Sequence, residues 1–269
     1  MKQINAVLLC GLITVGSFAQ GKIDGFYRGK GNATVVLGLG FEDSKKYFAG
    51  RNKVDLSRNL YYANLFASYG ISNNLDIQTS IPYMISDDNK DFQDISIFMK
   101  YRFFEKATEN GTWHLSVGGG FSTPLSNYDI GGLNDIGQRA TIMETRAMVH
   151  YRCNKNWFIS AQSGFSYKLE EVPNSIPFAI KIGKATSKWY YDIFYDYQHS
   201  FGGDDYLGSP RPQNFREFGV DYHKIGTTVF KNLAEDFGLY VNYSYILIGR
   251  NSFQGTAYAL GLTYDFKKQ

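Results

Sequence analysis

Along most of the chain, apolar residues fall at every second position, with small or polar residues between them. Asn59–Tyr69 presents Tyr61, Ala63, Leu65, Ala67 and Tyr69 on one side and Asn64 and Ser68 on the other. Leu75–Tyr83 sets Leu75, Ile77, Thr79, Ile81 and Tyr83 against Asp76, Gln78 and Ser80. Asp94–Phe104 sets Ile95, Ile97, Met99, Tyr101 and Phe103 against Asp94, Ser96, Lys100 and Arg102. Period two is the signature of a β-strand with one apolar face. The same pattern covers Asn32–Asp43, Trp113–Ser122, Ile142–Arg152, Trp157–Lys168, Ile176–Gly183, Trp189–Gln198, Glu217–Phe230, Phe237–Ile248 and Thr256–Phe266. Twelve strands are expected, and Lys224 and Gly226 blur the alternation in Glu217–Phe230.

The connectors alternate in length. Short ones lie at Gly70–Asn74, Glu105–Thr112, Cys153–Asn156, Lys184–Lys188 and Lys231–Asp236. Mostly longer ones lie at Glu42–Arg58, Ser86–Phe92, Thr123–Thr141, Leu169–Ser175, His199–Phe215 and Gly249–Gly255. Short turns on one side and longer loops on the other are the layout of an outer-membrane barrel, and strands of about 9–11 residues cross a bilayer at a tilt. The fold class expected is all-β: a transmembrane antiparallel up-and-down barrel of 12 strands without a plug domain. An even strand count puts both termini in the periplasm.

A soluble β-sandwich also alternates. Its strands cluster at about 5–6 residues, whereas these are long and uniform. Aromatics close both ends of the apolar faces, as in Tyr61 and Tyr69, Trp157 and Tyr167, or Trp189 and Tyr197, where an interfacial girdle sits.

Composition sharpens this picture. The 269 residues include Tyr 21, Phe 21 and Gly 28 with only 6 Pro, at a formal charge of +3. Aromatic residues favour pleated, half-buried surfaces, and so balanced a charge argues against a nucleic-acid partner. No apolar run reaches the length of about 20 residues that a spanning helix needs. Lys2, the apolar run Ala6–Val15 and Ser17-Phe18-Ala19 read as a secretory signal peptide over residues 1–19, cleaved near Ala19/Gln20. A lipoprotein reading of Cys10 fits less well, because Leu9 before it is not small. Residues 20–31 are expected as a periplasmic N-terminal segment too short to fill a lumen, and residues 32–269 as the barrel. Cys153 is then alone in the mature chain, so no internal disulfide forms.

Where the apolar faces meet lipid, the opposite faces line a lumen. Candidate lining and selectivity residues are Asp76, Gln78, Asp94, Lys100, Arg102, His114, Glu144, Arg146, His150 and Arg152. Gln162, Lys181, Asp192, Asp196, Asp221 and His223 complete the set. Charges facing a low-dielectric wall need partners, so ion pairs across the lumen are the plain expectation. Twelve strands at ~4.8 Å spacing and ~40° tilt give a backbone diameter of about 24 Å and a lumen of order 12–14 Å. That admits small solutes. Thr123–Thr141 and His199–Phe215, long and Gly-rich, are candidate gates.

Chemistry-bearing motifs are weak. His199-Ser200 near Asp192, Asp196, Asp204 and Asp205 could suggest a hydrolase, yet adjacent residues on a strand point apart. No spacing fits zinc, and Gly38-Leu39-Gly40 lacks the helix that phosphate binding needs. No catalytic, metal or cofactor residue is assigned.

Tyr69-Gly70-Ile71-Ser72-Asn73-Asn74-Leu75-Asp76 followed by Ile81-Pro82-Tyr83 resembles a hairpin of the outer-membrane transporter family named for the meta-cleavage pathway of phenol degradation. Asp94–Arg102 and Gly118–Leu125 resemble that family's following strands. Leu260–Phe266, a glycine with aromatics at plus three and plus five, resembles the C-terminal signal read by the barrel-assembly machinery, although Lys267, Lys268 and Gln269 follow it. The richness in Tyr, Lys and Asn resembles proteins of the Bacteroidetes. The family resemblance implies a barrel of Gram-negative bacteria that takes up small, often hydrophobic or aromatic, molecules. Its surroundings would be outer-membrane lipid and lipopolysaccharide, with the assembly machinery as partner in biogenesis. The first functional reading is a passive channel or transporter for a small-molecule solute. The alternatives are a closed structural or adhesive barrel that presents its loops, and a lipid-modifying barrel enzyme centred on His199.

Overall fold

The computed structural model describes residues 23–132, 134–209 and 215–268. The expected signal peptide and its cleavage site lie outside them.

Strands with one lipid-facing side must satisfy their backbone through neighbouring strands, since hydrocarbon offers no partner. The strands are β1 (Ala33–Ala49), β2 (Asn52–Val54), β3 (Arg58–Gly70), β4 (Leu75–Ser86), β5 (Asn89–Phe92), β6 (Asp94–Thr108) and β7 (Gly111–Pro124). They continue as β8 (Ile142–Cys153), β9 (Trp157–Lys168), β10 (Ser175–Ala185), β11 (Trp189–Ser200), β12 (Asp221–Asn232), β13 (Phe237–Arg250) and β14 (Ser252–Phe266). β2 and β5 are short arms paired to β1 and β4; the other twelve form one antiparallel circuit, each beside its neighbour in sequence. β1 closes it by pairing with β14 from Ala33↔Phe266 to Phe48↔Ser252. Among the described residues, helical structure is limited to a 3-10 turn at Phe215–Glu217.

Twelve spanning strands match the expectation, with shifted ends. β1 and β4 run past the expected boundaries because Glu42–Arg58 and Ser86–Phe92 hold hairpin arms rather than open loops. Outward residues are the exposed ones: Leu37, Leu39, Met99, Ile182, Ile193, Val241 and Leu262 are large, apolar and uncovered. The buried set is largely polar, including Asp76, Gln78, Lys100, Glu144, Arg146, Gln162, Lys181 and Asp192. This is a soluble protein turned inside out, as lipid contact requires.

Ile193 is 66% exposed in the body of β11. Ile193→Arg is expected to lower the unfolding free energy by about 2–4 kcal/mol, measured by reversible denaturant titration in lipid vesicles. A negligible change would be the behaviour of a water-facing wall.

Candidate functional site

Closing the strands into a barrel encloses a lumen, and the chain itself fills its lower end. Residues 23–31, expected to stay in the periplasm, run inside the barrel as an extended stretch. Ile23 packs on Phe98 and Met148, while its N–H donates to Gln162 Oε1 at 3.3 Å and its carbonyl accepts from Gln162 Nε2. Phe26 meets Phe158 and His150 edge-on, each at 5.2 Å. The Tyr27 hydroxyl donates to Ser116 Oγ at 2.9 Å. The expectation that so short a stretch cannot fill the lumen is corrected here. A compact plug domain is unnecessary in a barrel this narrow, where a single extended strand-width occupies much of the cross-section.

Lys100 anchors the segment. Its ammonium, 1% exposed, donates to Asp24 Oδ1 at 2.7 Å and to the Asp24 and Phe26 carbonyls. It lies 3.5 Å from Asp76 Oδ2 and 4.5 Å from the centre of the Tyr27 ring. Asp76 in turn accepts the Arg28 N–H at 3.1 Å. Gly29 and Gly31, both with positive φ, turn the chain out of the lumen into β1. There Asn73 Oδ1 accepts from Lys30 N at 3.1 Å, and the Gly31 N–H donates to Gly70 O at 2.7 Å. A Cβ on Gly70 would stand 2.0 Å from Gly29 O, so the close approach requires glycine. The hairpin Tyr69–Asp76 is therefore the cradle of the N-terminal segment.

Above the segment is a cavity of about 190 Å³. Phe66, Phe98 and Pro177 supply apolar walls, and Gln78, Gln162 and Gln198 supply amides. Its charges are compensated: Arg146 Nη2 lies 3.2 Å from Glu144 Oε1, and Lys224 Nζ lies 3.1 Å from Asp196 Oδ2. Tyr222 lines this cavity and also an outer vestibule of about 300 Å³ bordered by Glu42, Tyr47, Arg58, Asp135 and Arg216. The two chambers share that side chain as a common wall.

Two loops roof the vestibule. Arg216 donates from Nε to Gln138 O at 3.1 Å and from Nη2 to Arg139 O at 2.9 Å, and Gln138 Nε2 returns a bond to Arg216 O at 3.3 Å. The described parts of both expected gate loops thus contribute to, or flank, one lid. Tyr128 folds inward and donates to Asp94 Oδ1 at 2.7 Å. Burial, together with the Asp94 carboxylate, holds its phenol well above the usual range, so it remains a donor. Burial also pushes the Asp135 carboxyl up, while the Gly131 and Gly132 N–H groups bonded to it pull the other way.

The remaining candidates fall into distinct places. His114 and His150 stack at 5.5 Å, and a Cβ on Gly25 would meet the His150 ring at 2.2 Å, so this pair flanks the N-terminal segment. Lys181 and Asp192 stand 3.8 Å apart. Arg102 and Arg152 serve the short-turn end: Arg102 bonds Asn73 O and Asn74, and Arg152 bonds Asn156 and Ala185 O. One assignment is corrected: His223 points outward, its Nδ1 2.6 Å from the Tyr195 hydroxyl. Asp221 is buried and accepts the Ser200 N–H at the strand end. Alternation counted back from buried Thr228 puts Gly226, Lys224 and Tyr222 inside. Lys224 and Tyr222 lie outside the expected lining set because Lys224 and Gly226 blur the alternation of this strand. His199 is exposed, its Nδ1 3.5 Å from Asp221 Oδ2, whereas the Ser200 hydroxyl is buried and donates to Val220 O at 2.7 Å instead of to the imidazole.

A family model described as "Putative MetA-pathway of phenol degradation" matches residues 20–267. No curated protein sequence matches the chain. The fold is similar to the COG4313 outer membrane channel from Pseudomonas putida F1, at 11% identity and TM-score 0.71, covering 94% of this chain and all of that one. It is also similar to the NanC porin, at 12% identity and TM-score 0.56, covering 85% of this chain and 98% of that one. Identities this low speak for the shared barrel architecture.

Lys100→Met leaves the Asp24 and Asp76 carboxylates without their ammonium, a loss of about 3–5 kcal/mol for a broken buried pair. Release of the N-terminal segment relieves it. Trypsin is expected to cut after Arg28, only 4% exposed in the intact protein, in the variant but not in the parent, as read by mass spectrometry. Equal protection in both would place the anchor elsewhere.

Proposed function

The chain belongs to the phenol-degradation MetA-pathway family, and on that premise we propose that it is a gated outer-membrane channel admitting one small, ring-sized solute at a time. The observation that carries this reading is the pair of chambers in series, divided by Tyr222, between the loop lid and the N-terminal segment. A cavity of about 150 Å³ holds a benzene molecule, so the central chamber at about 190 Å³ suits a single substituted ring. Phe66 and Phe98 offer faces to stack on, and the amides of Gln78, Gln162 and Gln198 offer donors and acceptors to its edge. Because Glu144–Arg146 and Asp196–Lys224 neutralise each other, the chamber favours an uncharged solute over an ion. The family's name and the channel similar in fold support the same reading.

A second reading, a closed barrel that presents its loops, is favoured by one fact: both ends of the lumen are occupied by the chain itself. The two readings part in planar-bilayer recordings. For the channel, the parent protein is expected to open rarely, Arg216→Ala to raise the open fraction by unlatching the lid, and Tyr222→Ala to enlarge each conductance step. Silence from the parent and both variants, with folding verified by heat-modifiable gel mobility, would establish the closed barrel.

A further inference from the structure

All three tryptophans of the chain stand exposed on the outer wall at its short-turn end, and each has a lysine directly opposite it on a neighbouring strand. The pairs are Trp113↔Lys106, Trp157↔Lys184 and Trp189↔Lys231. The Lys184 ammonium lies 5.8 Å from the centre of the Trp157 ring, and the Lys231 ammonium 5.0 Å from that of Trp189. On its other side Lys184 faces Tyr191, which meets Trp157 edge-on at 6.0 Å. Toward the membrane centre the next row is apolar, with Ile159, Ile182 and Ile193 in register. Tryptophan and tyrosine settle at the headgroup level, and a lysine stem laid along an apolar wall carries its charge to the same depth.

In one sector of this rim the cations gather on turns that are bonded to one another. The Ala185 N–H donates to Asn156 O at 2.9 Å, Arg152 bridges Asn156 and Ala185 O, and the Asn232 N–H donates to Lys188 O at 2.9 Å. Cys153–Asn156 and Lys184–Lys188 contain Lys155, Lys184 and Lys188 and no acidic residue. Lys231 leads into the third turn, whose Glu235 and Asp236 are both paired with Lys267. Among the described residues, Lys155, Lys184, Lys188 and Lys231 have no carboxylate partner. At the opposite rim, by contrast, Lys45 and Lys46 pair with Asp43 and Asp55. Four ammonium groups without a counter-charge in the protein draw one from their surroundings, and at headgroup depth that charge is a lipid phosphate.

We infer that the short-turn rim of β9–β12 is a binding site for an anionic phospholipid, its headgroup phosphate held by Lys184 and Lys231 and its upper acyl chains packed on Trp157, Tyr191 and Trp189. The two lysines stand roughly 10 Å apart across β11, so their long side chains reach one headgroup. Short turns face the periplasm in an outer-membrane barrel, which sets the lipid in the periplasmic leaflet. The site is independent of whether the lumen conducts.

Because every tryptophan lies at this rim, intrinsic tryptophan fluorescence reads the lipid bound there. The protein carrying Trp113→Phe, which leaves Trp157 and Trp189 as reporters, is reconstituted in phosphatidylcholine vesicles. Rising fractions of the lipid are replaced by phosphatidylglycerol or by phosphatidylcholine, each brominated in its acyl chains to quench a neighbouring indole. Both leaflets have the same composition, so the direction of insertion does not enter. Half-quenching by the brominated phosphatidylglycerol is expected at a mole fraction about tenfold lower than by the brominated phosphatidylcholine, in keeping with roughly fivefold per lysine at an anionic surface. Adding Lys184→Gln and Lys231→Gln is expected to erase that difference, with folding verified by heat-modifiable gel mobility. Equal quenching by the two lipids before the lysines are changed overturns the site and leaves an ordinary aromatic girdle. A preference that survives in the double lysine variant overturns the assignment of the phosphate to Lys184 and Lys231.

Discussion

No backbone polar group can be left open to hydrocarbon, and the pairing of β1 with β14 is what satisfies that constraint here. Closure removes the two edges that any sheet otherwise exposes. It also fixes which side of every strand faces in, because a slip of one residue would exchange the lumen and lipid faces along a whole strand. The apolar exterior, the polar interior and the diameter all follow. Thr34 and Asp265 bond side chain to side chain near the start of this seam, inside the closing ladder.

A polar interior sealed in a low-dielectric wall creates a second demand, that its charges find partners. Glu144–Arg146, Asp196–Lys224 and Lys181–Asp192 meet it within the wall. Lys100 and Asp76 meet it by recruiting Asp24 and the Arg28 N–H from outside the barrel strands. The N-terminal segment is therefore part of the charge balance of the lumen as well as an obstruction in it. Removing it would leave Lys100 and Asp76 facing one another at 3.5 Å with fewer hydrogen bonds to hold them, so its docking and its release are governed by the same few groups.

Strand number, connector rhythm and the inward face of most strands were legible because period two is a local property. The Tyr69–Asp76 hairpin was legible as a unit, but its purpose was not. Its partners Arg28, Lys30 and Gly31 lie on a stretch with no periodicity, and Ile23 meets Gln162 across 139 residues. Contacts of that range leave no trace in spacing. Tyr222 and Lys224 were accessible in principle, since alternation traced from Thr228 reaches them; a lysine and a glycine on the inward face of β12 blur that alternation. The long loops could be read as gates from their length and glycines. That Arg216 would reach the Gln138 and Arg139 carbonyls depends on the barrel bringing two distant loops to one rim.

Pro82 and Pro177 show how one sequence feature acquires different consequences. Pro82 in β4 also ends a ladder, for pairing with β6 stops at Ser80↔Ser96. There the Pro82 carbonyl accepts the Gln93 N–H at 2.9 Å, and β5 pairs with β4 immediately beyond, from Tyr83↔Phe92. Backbone closes the interruption on both sides. At Pro177 no arm folds back, the opposing residue is a glycine pulled toward β8, and the register bond is replaced by a serine hydroxyl. A hydroxyl rotates at little cost, whereas a backbone bond within a ladder moves only with its strand. The ladder is accordingly closed by backbone at the first proline and by a serine hydroxyl at the second, beside the exposed Phe165 and Ile176.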